Sequence, residues 1–187
     1  SDLAGLPQSV RQAAAEAAKA DKQEGKWLFT TQKASFIPVL QYSENRELRK
    51  DLLTAYSKRG DNNNSKDNKT VINKIMKLRT QRAQLLGFAT SADFILDDTM
   101  AKTPKNVYSF LQSVWEPAVN KAKEEAIELQ KLMDKEGKGE KIEAWDWWYY
   151  SEKLRKEKYD LDEELLKPYF KLENVRQGVF DAKSKTP

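Results

Sequence analysis

The sequence predicts a mainly α-helical protein with one short strand or hairpin near residues 26–32. Three observations carry that reading. Apolar residues recur at three- and four-residue steps through most of the chain. Charged residues make up 33% and apolar residues 39%, the balance of long amphipathic helices with solvated outer faces. Helix start and stop signals punctuate the chain at intervals that suit helices.

Residues 7–21 read as the first helix. Pro7 suits the first helical position, where its missing N–H costs nothing, and AAAEAAKA has high intrinsic helix propensity. Gly25 ends this stretch. KWLFTTQ, residues 26–32, is short and rich in aromatic and β-branched residues, so it reads as the strand. A lone strand is not stable, which calls for a partner strand, from outside this chain if not from within it. SFIPVLQY, residues 35–42, predicts a short helix or turn interrupted by Pro38. Ser43 or Asn45 caps the next helix, which runs to about Lys58 with Leu48, Leu52, Leu53 and Tyr56 on its apolar stripe.

Residues 60–67, GDNNNSKD, form a polar loop of turn-favouring residues. Asp67 or Asn68 opens a helix to Leu86 on the spacing of Val71, Ile72, Ile75, Met76, Leu78, Leu85 and Leu86. Gly87 stops it in a left-handed position, and Phe88 folds back. A short helix follows over residues 91–100. Its Asp93, Asp97 and Asp98 share the spacing of a helix face, but the calcium-loop pattern is missing, and they read as exposed acidic surface. Thr103-Pro104 then starts the longest helix, to about Met133. Val107, Phe110, Leu111, Val114, Ala118, Ala122, Ile127 and Leu132 mark its expected buried face, and Pro117 predicts a kink near residues 113–116.

Gly137 and Gly139 break the chain before its most aromatic block. Residues 144–180 hold three of the five tryptophans and four of the seven tyrosines. A helix is expected from Glu143 to Tyr159, with Trp145, Trp148, Tyr149 and Glu152 on one face and Asp146, Tyr150 and Lys153 on its neighbour. Asp162 caps a short helix carrying Leu165 and Leu166, Pro168 breaks it, and a last helix starts near Glu173 or Asn174 with Val175, Val179 and Phe180.

Composition excludes several function classes. The chain has no histidine, so no histidine triad, histidine–zinc site or imidazole base can form within it. It has no cysteine either, hence no disulfide and no thiolate site, which fits a cytoplasmic location. No apolar run approaches a membrane span. The 33 basic and 29 acidic residues interleave without a basic face, against nucleic-acid binding. The aromatic helix beside lysines leaves base stacking, a protein-interface hot spot or a helical core as readings, and the core fits best.

WDWWYYSEKLRKEKYDLDEELLKPYFKLENVRQGVF closely resembles a segment of the thimet-oligopeptidase family of zinc metallopeptidases, and within it the peptidyl-dipeptidase branch. LAGLPQSV (residues 3–10), WLFTTQKASFIPVLQYSENRELRK (27–50) and VINKIMKLRTQRAQLLGFATSADFILDDTMAKTP (71–104) match in the same order. The resemblance implies an almost wholly helical piece of a two-lobed enzyme that binds one zinc and releases dipeptides from the C-terminal end of short peptides. The family's chemistry rests on HExxH, beyond the region this chain matches. No catalytic, cofactor-binding or metal-binding residue is therefore carried over. Residues 1–187 are expected to be one helical fragment, inactive alone, with zinc held elsewhere in the parent. The alternative is a stand-alone helical module that holds a peptide or protein. DAKSKTP, residues 181–187, departs from the family's apolar continuation and reads as a loop, a join across missing residues or a boundary. Faces that pack on absent parts predict self-association, near Trp27–Phe29 or through the aromatic helix.

Overall fold

The computed structural model describes residues 2–137, 139–159 and 163–185. Asp162, expected to cap a helix, lies outside them.

The helices follow the sequence signals closely. Helix α1 spans Gln8–Ala20, with Pro7 in the N-cap position, one residue earlier than expected. Helix α2 spans Lys33–Tyr42 and continues through Pro38. Helix α3, Arg46–Ser57, is capped by Asn45, whose side chain accepts from the Leu48 N–H at 3.1 Å. The polar loop leads into α4, Lys69–Leu85. At its end Gly87 takes φ +86°, the Phe88 N–H bonds the Ala83 carbonyl at 2.9 Å, and the Gly87 N–H bonds that of Gln84 at 3.0 Å. That pair of bonds is a Schellman cap, for which a left-handed glycine is best suited.

Helix α5, Ser91–Leu96, opens on a reciprocal capping box between Thr90 and Asp93. Helix α6 covers Pro104–Lys135, about 48 Å at 1.5 Å per residue, and runs unbroken through Pro117. Thr103 caps it, accepting from the Asn106 N–H at 3.2 Å. Helices α7 (Trp147–Tyr159) and α8 (Glu163–Leu166), a 3-10 turn at Lys167–Tyr169, and α9 (Leu172–Lys185) complete the order. Asp181–Lys185 thus extend the last helix rather than leaving it as a loop.

Two expectations are corrected. No described residue lies in a β-strand. Residues 26–32 cross from α1 to α2 instead, where the Leu28 N–H bonds the Ala14 carbonyl and the Thr30 N–H bonds Ser35 Oγ, each at 2.9 Å. Strand-type composition fits any half-buried extended segment, so it does not by itself demand a ladder. The expected buried face of α6 is also exposed from Phe110 to Ile127, which are 68% and 58% accessible, and the apolar positions of α4 stand open as well, Ile72 at 54%. Periodicity reports which face is apolar, not whether a partner covers it.

The core lies at the two ends of the sequence-distant contacts. Leu6, Phe36, Val39, Leu40 and Leu52 bury against one another among α1, α2 and α3. Phe36 and Tyr56 stack with centroids 4.1 Å apart. A second cluster joins the end of α6 to α7 through Leu129, Met133, Tyr149 and Tyr150. Helix α7 packs on both α6 and α2 and so unites the two clusters. Beyond them the chain is open. Its accessible surface is 14613 Å² at 21.6 kDa, whereas a closed folded monomer of that mass exposes roughly 9,200 Å².

Candidate functional site

The most organised polar constellation sits where α3 meets the start of α7. Asp146 is fully buried, and so is Arg49. Arg49 Nη2 donates to Asp146 Oδ1 at 2.8 Å, Nη1 to the Ser43 carbonyl at 2.6 Å and Nε to the Trp145 carbonyl at 3.1 Å. Arg46 adds Nε and Nη2 bonds to the same carboxylate at 3.0–3.1 and 2.7 Å. The Glu143 N–H supplies another at 3.1 Å. Both carboxylate oxygens are therefore saturated with donors, the condition under which a buried charge is tolerated. Burial pushes the Asp146 carboxyl up, but the Arg46 and Arg49 hydrogen bonds and the Glu143 N–H more than offset that, holding it below the usual carboxylate range.

This clasp also moves the helix start. The expected helix began at Glu143, but α7 begins at Trp147 because residues 144–146 turn to aim Asp146 at the arginines. The Tyr150 N–H still bonds the Asp146 carbonyl at 3.0 Å. The aromatic residues divide accordingly. Arg49 lies 4.2 Å above the Tyr149 ring, and Arg46 and Lys50 lie 5.8 and 5.5 Å from that of Trp145. The Tyr150 hydroxyl donates to Glu136 at 3.0 Å, and Lys153 donates to the same carboxylate. Burial first, then the Glu136 hydrogen bond, pushes the Tyr150 phenol far above its usual range. Trp148, expected on the same face as Tyr149, is 40% exposed. Gln130 clamps the 140–142 connection, donating to the Glu140 carbonyl at 2.9 Å and accepting from the Ile142 N–H at 2.8 Å.

Sequence reasoning placed Asp146 on a helix face and missed its arginine partners, which lie 97 and 100 residues away. No local pattern links residues so far apart. Asp93, singled out with Asp97 and Asp98, is held in the α5 capping box by bonds of 2.6–3.1 Å to Thr90. Among the described residues no three Asp or Glu side chains converge as metal ligands. The chain also lacks imidazole and thiolate, the side chains that most often hold zinc. A groove of about 490 Å³ between α1 and α2 is lined by Ala13, Ala14, Ala17, Val10 and Leu28 among others, and carries no ionisable side chain. Among the described residues no helix is long and apolar enough to cross a membrane.

What the geometry defines is an all-helical scaffold: an ion-paired clasp fixes α7 against α3, and broad apolar helix faces stand open. The model of Peptidase family M3 matches residues 39–185, so the chain belongs to that family. It is 37% identical to the dipeptidyl carboxypeptidase of Salmonella typhimurium over 95% of this chain and 26% of that protein. It is likewise 37% identical to oligopeptidase A of Haemophilus influenzae over 96% of the chain and 27% of the relative. Identity to saccharolysin of Saccharomyces cerevisiae is 27%, over 96% and 25%. The chain thus spans about a quarter of the length of the curated relatives it matches.

Proposed function

We propose that residues 1–187 form a non-catalytic helical wall of a longer zinc-dependent M3 peptidase. In that polypeptide the zinc and the residues that activate its water lie outside this stretch. The observation that carries the reading is the family match across residues 39–185 in a chain without a single imidazole. The open surface supports it, because helix faces as apolar as those of α4, α6 and α9 suit burial against further protein. The role of the Asp146 clasp is then positional: it holds α7 at a fixed angle to α2 and α3, so that the wall is rigid.

The substrate class proposed is short peptides, cut to release dipeptides from the C-terminal end, in the cytoplasm. Identity to the dipeptidyl carboxypeptidase and to oligopeptidase A is the same, 37%. Product analysis of a longer polypeptide carrying this stretch therefore decides between their specificities. Dipeptides from the C-terminal end support the reading; other products contradict the dipeptidase part of it and leave the peptidase part standing. No hydrolysis at all, in a polypeptide that includes the HExxH region and zinc, overturns both.

A further inference from the structure

Helix α4 carries five basic side chains and no acidic one. Lys69 is neutralised by Asp61 and Asp67. Lys74 and Lys77 share the polar face of the helix with Asn73, Thr80 and Gln84. The two arginines do not. At three- and four-residue steps Arg79 has Ile75, Met76 and Ala83 as neighbours, and Arg82 has Leu78, Leu85 and Leu86. Arg79 and most of these apolar side chains are exposed. Arg82 lies 5.0 Å over the Phe94 ring of α5. Among the described residues neither guanidinium has a hydrogen-bond or ion-pair partner.

We propose that Arg79 and Arg82 together take one carboxylate, an Asp or Glu side chain on the part of the parent peptidase that covers this face of α4. The inference rests on the reading of this stretch as a wall of a longer peptidase. Covering the apolar face brings the Arg79 guanidinium into the contact, because it stands in the middle of that face. A guanidinium does not give up its proton, so its burial calls for an anion and not merely for an apolar surface. Arginine suits such a contact because its planar fork meets both carboxylate oxygens.

The chain already builds this arrangement once. Arg46 and Arg49, also three residues apart on a helix, close on the single carboxylate of Asp146 at 2.7 and 2.8 Å. There the Tyr149 ring steadies Arg49 at 4.2 Å, as Phe94 steadies Arg82. What the pair on α4 lacks is the acid. Charge complementarity therefore names the occupant: an apolar surface with a carboxylate set in it. Pairing of α4 with α4 of a second copy would oppose arginine to arginine, so this face is not self-complementary.

The test uses the longer polypeptide, with peptide hydrolysis assayed on the same sample. With no peptide added, Arg79 should react with phenylglyoxal about tenfold more slowly in the native state than in urea. Arg79→Met should lower the urea midpoint, because it strands the covering carboxylate, whereas on a wholly apolar partner the same change raises it. Arg79→Lys keeps the charge and supplies an amine. Carbodiimide activation should then couple position 79 to an Asp or Glu outside residues 1–187, identified by mass spectrometry. Hydrolysis by a polypeptide whose Arg79 is as reactive as in urea overturns the inference and leaves the peptidase reading standing; protection and coupling without hydrolysis do the reverse. Protection that appears only with added peptide assigns the pair to the substrate's terminal carboxylate and overturns the inference. A midpoint raised by Arg79→Met, or a folded Arg79→Lys chain that couples to no carboxylate outside residues 1–187, overturns it too.

Discussion

Asp146 shows what one residue contributes here. Three donor groups hold its carboxylate, and two of them are guanidinium groups. Removing the charge leaves Arg49 buried beside a neutral group, a change that typically costs about 3–5 kcal/mol. Asp146→Asn should therefore lower the urea midpoint by the equivalent of that range. The pH dependence follows from the direction of the shift. A carboxyl held below its unfolded value stabilises the fold above about pH 4, and that contribution is lost as pH falls through the folded value. Asp146→Asn should flatten the acid limb of stability below about pH 4; an acid limb unchanged by the substitution contradicts the assignment. Gly5 is the second sensitive point. It takes φ +80°, and a Cβ there would lie 2.1 Å from the Tyr42 carbonyl oxygen. Gly5→Ala must displace the link between residues 4 and 44, in which the Glu44 N–H donates to the Ala4 carbonyl at 3.0 Å. A loss of about 2–4 kcal/mol by chemical denaturation is expected.

Among the elements, helix ends were legible because their chemistry is local. Asn45, Thr103-Pro104 and Gly87 each place a boundary within one residue of the structure. Boundaries set by distant partners were not legible. The start of α7 is displaced to Trp147 by arginines in α3, and the Trp27–Thr30 segment is tied to α1 and to Ser35 rather than to a strand. Of the candidate site, the aromatic block was visible in composition, while the Asp146 clasp needed the fold to bring residues a hundred positions apart together. Helix α9 gives a test at this scale. It packs on no other helix among the described residues, and Gly178 inside it has open space around its Cα. Gly178→Ala should stabilise this helix by about 0.5–1 kcal/mol, read as slower amide exchange in residues 172–185 with exchange elsewhere unchanged. A substitution that slows exchange in α7 as well would show that α9 is coupled to the core.

The whole molecule is two small cores joined by one aromatic helix, with long helices extending beyond them. Its exposed area exceeds that of a closed monomer by more than half. Apolar side chains on α4, α6 and α9 account for the pattern, since Ile75, Trp115 and Val179 keep helical spacing yet remain exposed. An M3 sequence without imidazole, folded around an ion-paired clasp and open on its apolar faces, is what supports the proposal of a scaffold for chemistry supplied elsewhere. The direct test is hydrolysis of a C-terminally free oligopeptide by the purified chain with saturating zinc, followed by mass spectrometry. The account predicts intact peptide with and without the metal; zinc-dependent release of dipeptides by these 187 residues alone would contradict it.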